Sequence, residues 1–130
     1  MDKSILNNIK KILGIDASYT AFDHDIMIHI NSVFSTLSQL GIGPAGGFMI
    51  EDNILTWDDY IPDGDPNLNA VKTYIYLRVR LLFDPPATSF AIAAMERQIT
   101  EHEWRLNTYR EETSWTEPIP RPDPQTSEIL

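Results

Sequence analysis

From residue 67 to residue 84 the chain has neither proline nor glycine, while Pro62-Asp63-Gly64-Asp65-Pro66 stands before this stretch and Asp84-Pro85-Pro86 after it. Proline cannot continue a helix, and it pushes the residue before it out of the helical region, so the two clusters bound one element, a helix over 68–83. Val71, Tyr74, Ile75, Leu77, Val79, Leu81, Leu82 and Phe83 leave this helix almost no polar face. It must be buried on most sides, which requires partners on more than one flank. Arg78 and Arg80 lie inside the same apolar run. A charge taken from water without a partner costs several kcal/mol, roughly, so both guanidinium groups need carboxylates or carbonyls. An internal ion pair with Asp84 or with an acid on the following helix would supply them, and so would pairing across a subunit boundary. The sequence leaves both open.

The partners are predicted helices. Ile5, Ile9, Ile12 and Leu13 recur at helical spacing after Ser4, with Gly14 as a C-terminal cap, which gives a helix over 4–13. Ile26, Ile30, Val33, Leu37 and Leu40 form one stripe of a second helix over 23–40, with Asp23 and Asp25 near its start, Met27 and Phe34 beside the stripe, and Gly41 at its end. Past Pro86, Ile92, Met95, Ile99, Leu106 and Tyr109 define a last helix over 89–110, with Trp104 alongside. The chain has 130 residues, 42% of them apolar, enough for one domain with a real core.

Between the second helix and the bounded one, 41–67 loses the helical period. Gly41-Ile42-Gly43-Pro44-Ala45-Gly46-Gly47 is too rich in glycine and proline for regular structure. Phe48-Met49-Ile50 and Ile54-Leu55-Thr56-Trp57, separated by Glu51-Asp52-Asn53, suit a small β-hairpin. The fold class expected is therefore mainly α: a four-helix domain over 1–110 with a short β-hairpin or an irregular loop inserted. Residues 111–130 are assigned to an extended C-terminal arm, because Pro118, Pro120, Pro122 and Pro124 occupy alternate positions and exclude both helix and central strand.

Little in the sequence points to chemistry. His24 and His29 are five residues apart, which sets the rings well apart around a helix. His102 takes a stripe position between Ile99 and Leu106, where packing or a local ion pair is the simpler role. Tyr74, Tyr76 and Trp104 read as core aromatics, since no basic groove accompanies them. Glu51, Asp52, Asp58, Asp59, Asp63 and Asp65 include no intervening lysine or arginine but lack the spacing of a calcium loop. No phosphate-binding glycine loop, zinc-protease motif or nucleophile elbow occurs, so neither an enzyme nor a cofactor is expected. The net charge of -9 disfavours wrapping nucleic acid, which is held mostly by lysine and arginine. There is no cysteine, and no apolar run approaches the roughly 20 residues that span a bilayer. Residues 1–14 carry no secretory pattern, so the chain is expected to remain in the cytosol that made it.

The run from Leu68 through Phe83-Asp84-Pro85-Pro86, followed by Met95-Glu96 and Glu103-Trp104-Arg105-Leu106, resembles the head-to-tail connector family of long-tailed bacteriophages over about residues 23–110. The resemblance implies a structural virion protein, assembled in the host cytoplasm, that forms a ring beneath the portal and joins the DNA-filled head to the tail. It implies as partners the portal protein, a stopper or tail-completion protein, and copies of itself, about twelve in a closed ring. DNA would pass through without specific binding, and the acids at 51, 52, 58, 59, 63 and 65 become candidates to face the channel and repel its phosphates. Phe48, Met49, Ile50, Ile54 and Trp57 become candidates for a subunit interface. Trp115, Pro118, Ile119, Pro120, Pro122, Ile129 and Leu130 become candidate anchors of the arm on portal or neighbour. The competing reading is an acidic helical adaptor, or a regulator that mimics the charge of DNA to block a basic partner. A lone monomer bound to a DNA-binding protein would favour that reading; rings or portal-bound copies favour the connector.

Overall fold

The computed structural model describes residues 3–62 and 65–114, with side chains described as far as Thr108. Five helices follow in order: α1 (Ile5–Ile12), α2 (Asp23–Gln39), the single turn α3 (Trp57–Tyr60), α4 (Leu68–Phe83) and α5 (Ser89–Ser114). The proline-bounded helix has the limits expected of it. Local signals set the other ends. Ser4 caps α1 by accepting the Asn7 N–H at 3.2 Å, and Gly14 follows the helix in the left-handed region at φ 83°. The acids in the first turn of α2 face the positive end of its dipole. Thr88 Oγ1 accepts the Ala91 N–H at 3.1 Å and starts α5, which continues past the expected residue 110 to Ser114.

α4 lies between α2 and α5 and packs extensively on both, while α1 packs on α2. The order across the molecule is α1, α2, α4, α5. Helical arithmetic explains why α4 is central. At 100° per residue, Leu68, Val71, Tyr74, Ile75, Leu77 and Val79, all buried, spread over roughly 200° of its circumference, an arc wide enough for two neighbours. One core results. Ile5 and Ile9 of α1, Ile26, Ile30, Val33, Phe34 and Leu37 of α2, the α4 residues, and Ile99 and Leu106 of α5 form a single cluster.

No β-hairpin forms among the described residues; the inserted segment takes the irregular alternative, and each expected strand pairs elsewhere. Ile50 donates its N–H to Asn31 Oδ1 at 2.8 Å and accepts from Asn31 Nδ2 at 2.9 Å, so one side-chain amide of α2 supplies what a paired strand would. Leu55 and Trp57 turn to the start of the chain: Leu55 C=O accepts the Ile5 N–H at 3.0 Å, the Trp57 N–H reaches Lys3 C=O at 3.3 Å, and Ser4 and Thr56 form an isolated antiparallel bridge. Thr56 then opens α3. Its N–H and hydroxyl both donate to Asp59 Oδ2, at 2.8 and 3.1 Å.

A buried ion pair closes the α1–α2 corner. Lys10 is wholly buried, its ammonium 2.7 Å from Asp23 Oδ1 and 3.0 Å from the Ala17 carbonyl oxygen, to which it donates. Asp23 Oδ1 is itself buried and has no other partner among the described residues, so the two charges depend on each other.

Candidate assembly surfaces

Arg78 and Arg80 diverge because of where they fall on α4. Arg78 lies within the buried arc and meets a carboxylate on the neighbouring helix: its Nη1 donates to Glu103 Oε2 at 3.2 Å and to Tyr74 Oη at 2.9 Å. The Tyr74 hydroxyl donates to the same Glu103 oxygen at 2.7 Å. Burial, with this hydrogen bond to the carboxylate second, pushes the Tyr74 phenol up to about 12. Arg80 falls on the opposite, polar arc. Its Nε donates to the backbone carbonyl of Asp84 at 2.8 Å and its Nη1 to Tyr76 Oη at 3.3 Å. The ion pair expected with the Asp84 carboxylate is thus a bond to the Asp84 carbonyl, and Arg80 closes the C-terminus of α4.

The candidate interface residues divide. Ile50 and Trp57 are core side chains, 1% and 3% exposed, and do not present a surface to a neighbour. Trp57 Nε1 donates to Asn8 Oδ1 at 3.3 Å, and Lys72 Nζ lies 5.3 Å from its ring centre. Phe48 is half-buried and packs with Phe34 and Tyr60, its ring centre 5.1 and 5.0 Å from theirs. Met49 and Ile54 are uncovered, at 57% and 71% exposed. With Glu51, Asp52 and Leu55 they line a shallow recess.

Four of the acids proposed for a channel have local duties. Asp52 Oδ1 accepts the Ile54 N–H at 2.9 Å, Asp59 caps α3, Asp65 Oδ1 accepts the Asn67 N–H at 2.8 Å, and Asp58 lies 3.9 Å from Lys3 Nζ. Glu51, Asp52, Asp58 and Asp59 remain exposed, and Asp65 is half-buried. Asp63 lies outside the described residues, as do the arm positions Trp115, Pro118, Ile119, Pro120, Pro122, Ile129 and Leu130.

A larger uncovered surface, which the apolar stripe reading passed over, runs along α5. Trp104, expected in the core, is 68% exposed, and Phe90 is 79% exposed. Phe90, Arg97 and Trp104 follow one another at steps of seven residues, so they share a stripe on the side of α5 opposite Ile99 and Leu106. A shallow groove beside it is lined by Ala93, Glu96, Arg97, Thr100, Glu101 and Trp104. The seven-residue spacing was the available signal. Another set of rings joins the start of α2 to the end of α4: Tyr19, Phe22 and Phe83 succeed one another at 5.7 and 5.5 Å, and His29 reaches Phe83 at 6.4 Å.

Among the described residues, no group of three or more histidine, aspartate or glutamate side chains could hold a metal ion, and no helix is long and apolar enough to cross a membrane. The features that stand out among the described residues are uncovered apolar side chains beside charged ones on a helical domain, the kind of surface at which proteins meet partners. The chain belongs to the phage connector protein family, whose family model matches residues 5–113 of the 130. It is a connector, a structural component of a phage virion with partners in the head or tail. Comparisons with curated proteins and with solved structures found no match.

Proposed function

We propose that this connector forms a ring of about twelve copies beneath the portal and joins the DNA-filled head to the tail. The family match over nearly the whole helical domain carries the reading. Two further features support it. Large apolar side chains stay exposed on both the inserted loop and α5, as expected of a subunit that neighbours complete. The exposed acids at 51, 52, 58 and 59, on a chain of net charge -9, suit a wall past which DNA slides without adhering. The portal protein would hold one side of the ring and a stopper or tail-completion protein the other. The arm, through Trp115, Pro118, Ile119, Pro120, Pro122, Ile129 and Leu130, would grip the portal or a neighbour. Assembly would take place in the host cytoplasm.

Electron cryo-microscopy of portal-bearing, DNA-filled heads incubated with the purified protein tests this reading. A ring of about twelve copies, seated directly on the portal and enclosing the DNA, is expected. Heads that gain no such layer, or copies bound elsewhere on the capsid, would overturn it.

A further inference from the structure

Three rings form a shelf where the start of α2 meets the end of α4. Tyr19, Phe22 and Phe83 succeed one another at 5.7 and 5.5 Å, and the first two are 51% and 42% exposed. Exposed aromatic rings in a row are what polyproline segments dock on, because such a segment is held extended before it binds and its proline rings pack on aromatic faces. This chain carries a segment of that kind, Pro118-Ile119-Pro120-Arg121-Pro122, just past α5.

Chain length decides whose segment can reach the shelf. Only residues 84–88 separate α4 from α5, and Glu103 meets both Tyr74 and Arg78, so α5 runs back along α4. At a rise of about 1.5 Å per residue, the path from Phe83 back to Tyr74 and on from Glu103 to Ser114 is about 30 Å along the helix axes. Ile119 and Pro122 stand five and eight residues beyond Ser114, which gives them a reach of at most about 18 and 29 Å when fully extended. They cannot lie together on the rings of their own copy. The segment leaves one end of the molecule and the shelf stands at the other.

We propose that residues 118–122 of one copy dock on the Tyr19–Phe22–Phe83 shelf of the next, with the copies end to end around the ring. This rests on the ring reading above and gives it a specific contact. A polyproline helix repeats every three residues, so Ile119 and Pro122 would share the edge that meets the rings. Pro118, Arg121 and Pro124 would share a second edge, and Glu117, Pro120 and Asp123 the third, turned to solvent. Asp25, one turn after Phe22, and Asp84, next to Phe83, are exposed and make no ion pair among the described residues, so either carboxylate can receive Arg121. The cations close by in sequence are engaged: Asp23 holds Lys10, and the Asp84 carbonyl and Tyr76 hold Arg80. A contact between unlike ends passes from copy to copy until it closes.

The absence of cysteine makes the test direct. Full-length Asp25→Cys/Arg121→Cys protein is assembled on portal-bearing heads, treated with a short bis-maleimide and separated under denaturing conditions. A ladder of covalent multimers is expected from the double variant and none from either single variant. In solution, a peptide of residues 115–124 should shift the ring resonances of Tyr19, Phe22 and Phe83 in the unaltered full-length chain. The same peptide with Pro118→Ala/Pro120→Ala/Pro122→Ala should bind about tenfold more weakly. Rings of normal occupancy whose copies link only internally, only to the portal or not at all would overturn the contact while leaving the ring in place, as would a peptide that leaves these three rings unshifted. Failure of the unaltered protein to form a ring would instead overturn the ring reading.

Discussion

At the scale of single residues, Lys10 is the one whose environment departs most from its type. A lysine on a short amphipathic helix reads as a solvent-facing residue, and nothing in its neighbours along the chain says otherwise. Its burial depends on Asp23 and the Ala17 carbonyl, which reach it only once the chain turns back. Lys10→Met keeps the apolar volume but strands the Asp23 carboxylate, so it should lower stability in denaturant titration by about 3 kcal/mol; adding Asp23→Asn should recover most of the loss. An unchanged midpoint in the single variant would mean that water already reaches the pair. Gly43 is a second such residue. It sits at φ 94°, and a Cβ there would come 2.6 Å from Tyr60 Cε1, whose ring is wedged against Phe34 and Phe48. Gly43→Ala should therefore cost about 2–3 kcal/mol, while Gly46→Ala, which meets open space, should stay within roughly 1 kcal/mol. Tyr60 and Tyr74 also set the alkaline limit. Burial raises both phenols, with the Tyr60 hydroxyl making no hydrogen bond among the described residues, so the folded state holds their protons after the unfolded chain has released its own near pH 10. The contribution of these two phenols should be constant up to about pH 10 and fall as pH rises from 10 toward 12 and above, with a shallower fall in Tyr60→Phe/Tyr74→Phe protein. Parallel curves would place the alkaline loss elsewhere.

At the scale of elements, legibility followed the source of each signal. α4 was readable to the residue because prolines on both sides act locally, through backbone geometry. The pairing of Arg78 with an acid on the last helix was also within reach, since a buried guanidinium demands a carboxylate and few are near. Arg80 was not, because its bond to the Asp84 carbonyl depends on how the helix ends. The hairpin expectation failed for a related reason. Apolar runs of strand length satisfy a strand pattern, but their hydrogen bonds were met by the Asn31 side chain and by residues 3–5, partners distant in sequence. The Asn31 amide satisfies both backbone groups of Ile50, so Asn31→Ala should leave its N–H and C=O without partners at a cost of about 2–3 kcal/mol. Hydrogen exchange should report faster exchange at the Ile50 amide, with the α4 amides hastened only by the overall loss of stability. Retained protection at Ile50 would show that burial alone holds the segment.

At the scale of the whole molecule, α5 connects the folded domain to its surroundings. Its inner face supplies Ile99, Leu106 and Glu103 to the core, its outer face carries Phe90 and Trp104, and it delivers the chain to the Pro-rich segment. The outer face was legible only in the seven-residue spacing of Phe90, Arg97 and Trp104, which sets them opposite Ile99 and Leu106. Among the described residues the core cluster reaches Leu106, and the family match ends at residue 113, before the alternating prolines. A chain cut after Ser114 should therefore melt within about 3 °C of the full protein, since a loss below roughly 0.5 kcal/mol moves a domain of this size by no more than that. The same chain should fail to join portal-bearing heads if the arm supplies the grip proposed for it. In the arm as proposed, alternating prolines would limit the freedom given up on docking, so Trp115 and Ile119 would contribute most of their burial to binding. Trp115→Ala/Ile119→Ala in the full chain should then weaken head joining in the same direction as the truncation, with melting unchanged. Normal joining by the truncated chain would remove the arm from the attachment and leave the helical domain to provide it.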